Sequence, residues 1–103
     1  MKRTGARIIL VLACALPCAP ALADVALATS RNCMSCHNLE KKIVGPAFKD
    51  VAAKYRGDKA APAQLASKIM QGGGGNWGVV KMPSNPQVSE AEAKKLAAWV
   101  LSL

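Results

Sequence analysis

The stretch Asn32-Cys33-Met34-Ser35-Cys36-His37 constrains what this chain can fold into more than any other. It holds the only histidine and two of the four cysteines. Two thiols separated by two residues lie along one turn of backbone, where both can add across the vinyl groups of a haem and form thioethers that do not dissociate. The adjacent imidazole then lies under the iron and offers a nitrogen as one axial ligand. Two rival uses of the pair fit less well. A thioredoxin-like dithiol follows a strand in an α/β domain, and no strand pattern is evident. A zinc site would also need Cys14 and Cys18, which fall in an apolar N-terminal run. One haem c, bound covalently through Cys33 and Cys36 with His37 as proximal ligand, is therefore expected.

The N-terminal run is expected to be a secretory leader. Lys2, Arg3 and Arg7 precede an apolar segment from Ile8 to Ala15, Pro17 and Pro20 break it, and Ala21-Leu22-Ala23 places small residues where a signal peptidase reads. The segment is far shorter than the ~20 apolar residues needed to span a bilayer. A lipobox at Val11-Leu12-Ala13-Cys14 would leave too short an apolar stretch before its cysteine. Cleavage after Ala23 divides the chain into a leader, residues 1–23, and one domain, residues 24–103, which is room for a single core. The 14 basic residues then fall to 11 against 6 acidic ones, a formal +5. Export places this domain in the periplasm. Its lysines are scattered and not interleaved with aromatics, which argues against a nucleic-acid surface.

The mature segment has helical periodicity and is expected to be all-α. Asp24 can cap a helix from Val25 towards the cysteines. Phe48, Val51, Ala52 and Tyr55 share one helical face before Gly57. Pro62 suits the first turn of a further helix carrying Leu65, Ile69 and Met70, and Gly72-Gly73-Gly74-Gly75 ends it. Residues 76–87 contain Pro83 and Pro86 and have no helical period. Ser89-Glu90-Ala91-Glu92 is a capping box for the last helix, whose stripe is Ala93, Leu96, Ala97, Val100 and Leu103, with Trp99 at its flank. Phe48, Tyr55, Trp77 and Trp99 are the only aromatics, a thin core for an independent domain of this size. A haem would supply the apolar plate around which short helices pack.

With His37 used, a methionine, a lysine or no protein group remains for the sixth position. Met34 lies within the attachment turn and Met70 on an apolar helix face. Met82 lies in the irregular segment, 45 residues after His37, far enough to wrap around a haem and return on its far side. Pro83 and Pro86 restrict that loop and lower the entropy cost of holding a weak thioether on iron. The alternative is a loop methionine that only packs on the haem edge.

The segments "NCMSCHNLEKKIVGPAFKDVAAKY" and "GGGGNWGVVKMPSNPQVSEAEAKKLAAWVLSL", with the size of the mature chain, resemble the small bacterial class I cytochromes c of the c-551/c-552 group over essentially all of residues 24–103. The resemblance implies a class I cytochrome c fold, short helices wrapped around one covalently attached haem with N- and C-terminal helices crossing. It implies a monomeric one-electron carrier, not an enzyme, that shuttles between respiratory redox proteins. A membrane cytochrome complex would be the donor and an oxidase, nitrite reductase or peroxidase the acceptor, each docking through an acidic surface. Carried over by position, Cys33 and Cys36 match the thioether cysteines, and His37 and Met82 the axial ligands. Pro46 matches the proline whose carbonyl receives the second N–H of the histidine. Trp77 matches an indole that donates to a haem propionate, where a plain core tryptophan is the alternative, and Asn85 matches a residue near the methionine sulfur. Val79-Val80-Lys81 stands where many relatives have prolines, which predicts a looser ligand loop. Ala28 stands where an aromatic or larger apolar residue is common, which predicts a thinner helix crossing. A haem enzyme or gas sensor with an open sixth position is the competing function, and it lacks a second histidine to serve as distal base.

Overall fold

The computed structural model describes residues 5, 9–13 and 20–103, with the side chains of the folded part described from Asp24 onward. Most of the expected leader, Cys14 and Cys18 included, lies outside the described residues. The elements are α1 (Pro20–Ser30), a single 3-10 turn (Cys33–Ser35), α2 (Phe48–Lys54), α3 (Ala61–Gln71) and α4 (Glu90–Leu101). No strand occurs among the described residues; one isolated antiparallel bridge joins Gly73 to Met82.

α4 is the hub, because its apolar residues are broad enough to meet three partners, α1, α2 and α3. Its start follows from the capping box. Ser89 Oγ accepts from Glu92 N at 3.1 Å and Glu92 Oε1 accepts from Ser89 N at 3.1 Å, which satisfies two of the N–H groups a helix start leaves free. Ala93, Leu96, Ala97 and Val100 are buried, and Leu103 is half-buried against them. Trp99 differs from its expected flanking place. It is buried, and its ring meets Phe48 edge-to-face with centroids 5.5 Å apart. An indole on the helix flank reaches the core because α2 delivers Phe48 to that side.

Phe48, Val51 and Ala52 are the buried face of α2, as their spacing predicts. Pro62 lies in the first turn of α3, and Gly72 ends that helix at φ +71°, which glycine adopts without a steric penalty.

α1 begins earlier than the sequence pattern suggests. Proline suits a first helical turn, and Ala21-Leu22-Ala23 are good helix formers, so the helix reaches back to Pro20 and Asp24 is an interior residue and not its cap. Asp24 is buried against α4, where Lys95 Nζ stands 3.5 Å from Oδ1, an ion pair without hydrogen-bond geometry. At the other end of α1, Arg31 places Nε and Nη2 on Glu92 Oε2 at 3.0 and 2.7 Å. Between these two ion pairs Ala28 is fully buried. A small apolar void of about 30 Å3 lies beside it, lined by Ala28, Leu96 and Trp99 and also by Cys33, His37 and Met82. Met34, half-buried, packs on the same cluster.

Candidate haem site

Asn32 opens the attachment turn in the left-handed region, at φ +67°, which redirects the chain out of α1. Cys36 N and His37 N then both bond to Cys33 O, at 3.2 and 3.0 Å, so the two cysteines and the histidine occupy successive positions of one tight turn. Both cysteines are half-buried, and they are not joined to each other in a disulfide. Burial pushes the Cys33 thiol above its usual value, because a thiolate is poorly solvated there.

Residues 38–47 leave this turn and come back to it. Asn38 Oδ1 accepts from the backbone N–H groups of Glu40 and Lys41, a local turn that side chains of this length favour. Gly45 N donates to Cys36 O at 2.7 Å and closes the loop. The return lays Gly45 against the imidazole of His37. A Cβ at position 45 would stand 2.6 Å from Cε1, 3.0 Å from Nδ1 and 3.1 Å from Nε2, so only glycine fits. His37 Nδ1 lies 2.8 Å from Pro46 O. A carbonyl oxygen can only accept, so Nδ1 carries a proton, and in the neutral ring the lone pair is on Nε2. On another side the ring of Phe48 stacks on the imidazole, with centroids 4.8 Å apart and planes 19° from parallel. Backbone, hydrogen bond and stacked ring together fix the orientation of His37.

Cys36, His37, Pro46, Trp77 and Met82 line one large apolar cavity, with about 930 Å3 of free space including its open mouth. Of Met34, Met70 and Met82, only Met82 lines it; Met34 and Met70 pack on the core cluster. Cys33 does not line it and borders instead the small void beside Ala28, which His37 and Met82 also border.

The segment carrying Met82 is pinned to the end of α3. Gly73 N donates to Met82 O at 2.9 Å, and Met82 N donates to Gly73 O at 2.8 Å. Asn85 follows on the same face. Its backbone N–H donates to Met70 O at 3.1 Å, and its side-chain amide donates to Ile69 O at 2.7 Å and to Pro83 O at 3.4 Å. Asn85 therefore spends its amide on carbonyls that the end of α3 leaves free. Gly72 permits the approach, since a Cβ there would stand 2.5 Å from Met82 O. Met82 is thus held on both sides even though Val79-Val80-Lys81 lacks prolines and Val79 is 97% exposed.

Gly45, Phe48 and Gly72 escaped the sequence analysis as site residues. Gly45 and Gly72 sit beside prolines or further glycines and looked like punctuation, and Phe48 looked like ordinary core. Only the return of the 38–47 loop and the docking of the 82 segment give them their contacts.

The donor set suits a haem. Two thiols and an imidazole with a free Nε2 share one turn, a thioether lines the same cavity, and the walls are apolar. These features define the class of small helical proteins that hold a haem covalently. The family model for cytochrome c matches residues 23–103. A curated cytochrome c-551 of Allochromatium vinosum is 57% identical over 83 residues, covering 81% of this chain and 88% of that protein. A cytochrome c-552 of Hydrogenobacter thermophilus is 55% identical over 82 residues, covering 79% and 82%. The crystal structure of wild-type Nitrosomonas europaea cytochrome c552 superposes with a TM-score of 0.75 at 51% identity, covering 77% of this chain and 98% of that one. The chain belongs to the cytochrome c family and has its class I fold, and its cofactor is covalently bound haem c. At the level these relatives support, it is a small haem c electron carrier.

Proposed function

We propose that the protein is a periplasmic one-electron carrier, and not an enzyme, whose haem iron is closed by His37 on one side and Met82 on the other. The observation that carries this is the cavity itself. His37 is held with Nε2 free, and Met82 is the one described methionine that lines the same space. A haem so ligated supplies a reversible one-electron couple, and methionine ligation raises its reduction potential. The chain's own residues do the rest. Cys33 and Cys36 anchor the group, and the Pro46 carbonyl fixes the His37 ring and its basicity. The Gly73 bridge and Asn85 hold the Met82 segment in place, Trp77 offers its indole N–H to a propionate, and apolar walls exclude water.

Charge and exposure support redox proteins with acidic docking surfaces as partners. Asp24, Glu90 and Glu92 on α1 and α4 balance Arg31, Lys94 and Lys95, and three ion pairs join them. The formal +5 therefore resides in residues 40–81, where eight basic residues face three acidic ones. Lys68 and Lys81 of that segment line the cavity, and exposed Val44 and Val80 line it too. A membrane cytochrome complex as donor and an oxidase, nitrite reductase or peroxidase as acceptor fit such a surface.

Export with removal of residues 1–23 rests on the basic start and apolar run, and on a family match that begins at residue 23. Ile9, Leu10, Val11 and Leu12 are about four-fifths exposed, so these four residues lie outside the core. No helix among the described residues is long and apolar enough to cross a membrane. N-terminal sequencing of the protein from its native host should begin at Asp24.

Carbon monoxide added to the ferrous protein tests the closed iron. The spectrum should stay unchanged for the wild type and shift at once for Met82→Ala. Ready binding by the wild type would overturn the assignment in favour of an open-site haem enzyme or gas sensor.

A further inference from the structure

Lys54, the last residue of α2, is exposed but committed to contacts within the chain. Its ammonium stands 4.7 Å from the centroid of the Trp77 ring and 5.7 Å from that of Tyr55, both within the range of attraction between a cation and an aromatic face. Lys54 Nζ also donates to Asn76 O at 3.2 Å, and Asn76 Nδ2 reaches Tyr55 Oη at 3.4 Å. Residues 76 and 77 belong to the stretch between α3 and the Met82 bridge, where Gly75 and Gly78 have positive φ and Val79 is almost fully exposed. Residues 74–81 make no other hydrogen bond among the described residues, and Trp77 also packs on the core cluster. Lys54, Tyr55, Asn76 and Trp77 meet at one corner of the cavity, whose wall includes Tyr55, Asn76 and Trp77.

We propose that Lys54 is a positioning residue for Trp77: its ammonium clamps the indole face and the Asn76 carbonyl to the end of α2, and so holds the indole in the wall of the haem cavity. The proposal deepens the assignment of Trp77 as a donor to a haem propionate and rests on it for its consequence for the haem. It also separates Lys54 from Lys68 and Lys81. An ammonium engaged by an aromatic face and a carbonyl is a structural part of the site, while cations without such contacts remain available to a partner.

The test uses the haem-loaded protein in its ferrous, diamagnetic state and reads hydrogen exchange of the two indole N–H groups by NMR. Lys54→Met keeps the aliphatic stem and removes the charge. Exposed cation–aromatic contacts of this kind shift a closed–open ratio by roughly two- to fivefold. Trp77 Nε1–H should therefore exchange about two to five times faster in Lys54→Met. Trp99 Nε1–H, buried on α4, should keep its rate, and Lys54→Arg, which retains a cation that stacks on aromatic faces, should restore Trp77. An unchanged Trp77 rate in Lys54→Met, or a Lys54→Arg protein that exchanges like Lys54→Met, would overturn the proposal. The reduction potential of Trp77→Phe is measured alongside. If that potential equals the wild-type value while the exchange result holds, the propionate assignment falls and the clamp stands.

Discussion

Gly45→Ala should destabilise the haem-loaded protein by crowding the imidazole of His37. The new Cβ would lie 2.6 Å from His37 Cε1, closer than side-chain carbons approach, so either the loop or the ring must move. The loop is tied by Gly45 N to Cys36 O at 2.7 Å, and the ring is held between Pro46 O at 2.8 Å and Phe48 at 4.8 Å. Overpacking in a well-packed site costs about 1–3 kcal/mol. If the ring yields, it gives up the Nδ1 hydrogen bond, a further ~0.5–1.5 kcal/mol. A total of about 2–4 kcal/mol lowers the thermal midpoint of a domain of this size by at least ~8 °C. Denaturant unfolding followed by far-UV circular dichroism measures the loss, and the His37 ring resonances in the ferrous protein report whether the imidazole turned. A Gly45→Ala protein within ~0.5 kcal/mol of wild type, with unshifted ring resonances, would show that Gly45 and Pro46 do not fix the imidazole.

Three further outcomes are expected. Glu92 is held well below the ordinary carboxylate value of 4.5, at about 2, first by the Arg31 side chain and then by the Ser89 backbone N–H. A depressed acid stabilises the fold above its unfolded value and loses that contribution as pH falls, so the thermal midpoints of wild type and Glu92→Gln should differ at pH 6 and converge between about pH 5 and pH 2. A difference that persists unchanged at pH 2 would contradict the ion pair. Asn85→Ala leaves the Ile69 carbonyl without its amide donor, at a cost of about 1–3 kcal/mol, and should admit exogenous imidazole to the ferric iron at least ~10-fold more readily than wild type. An unchanged imidazole affinity would mean that Asn85 does not restrain the Met82 segment. Gly72→Ala should act on the same loop, since its Cβ would meet Met82 O and its φ is +71°; amide exchange at Met82 that matches wild type would refute this.

The features legible in the sequence are those written within a few residues. The cysteines and histidine of the attachment turn, the capping box of α4 and the apolar face of α2 each fit in one or two turns of backbone, where periodicity and side-chain chemistry act locally. What stayed hidden depends on segments far apart in the chain. Gly45 became a wall of the site because the loop from Asn38 folds back on Cys36, and nothing in Val44-Gly45-Pro46 records the imidazole it meets. Trp99 moved from flank to core because α2 brings Phe48 to its edge. Asn85 was placed by resemblance near the methionine sulfur, and the bond of its side-chain amide to the Ile69 carbonyl, 16 residues away, is not recorded in the local sequence. Asp24 reads as a helix cap, since such residues favour that position, but the residues before it are equally good helix formers and α1 continues through it. Lys54 looked like one of many solvated lysines until the 76–77 segment came to rest on it.

The measurement that tests the account most directly is the near-infrared absorption of the purified ferric protein, where methionine sulfur bound to haem iron gives a weak charge-transfer band. The wild type should show the band, and Met82→Ala should lose it while keeping covalent haem through Cys33 and Cys36. A wild-type spectrum without the band, or a band that survives in Met82→Ala, would contradict ligation by Met82 and with it the closed iron on which the electron-carrier mechanism rests.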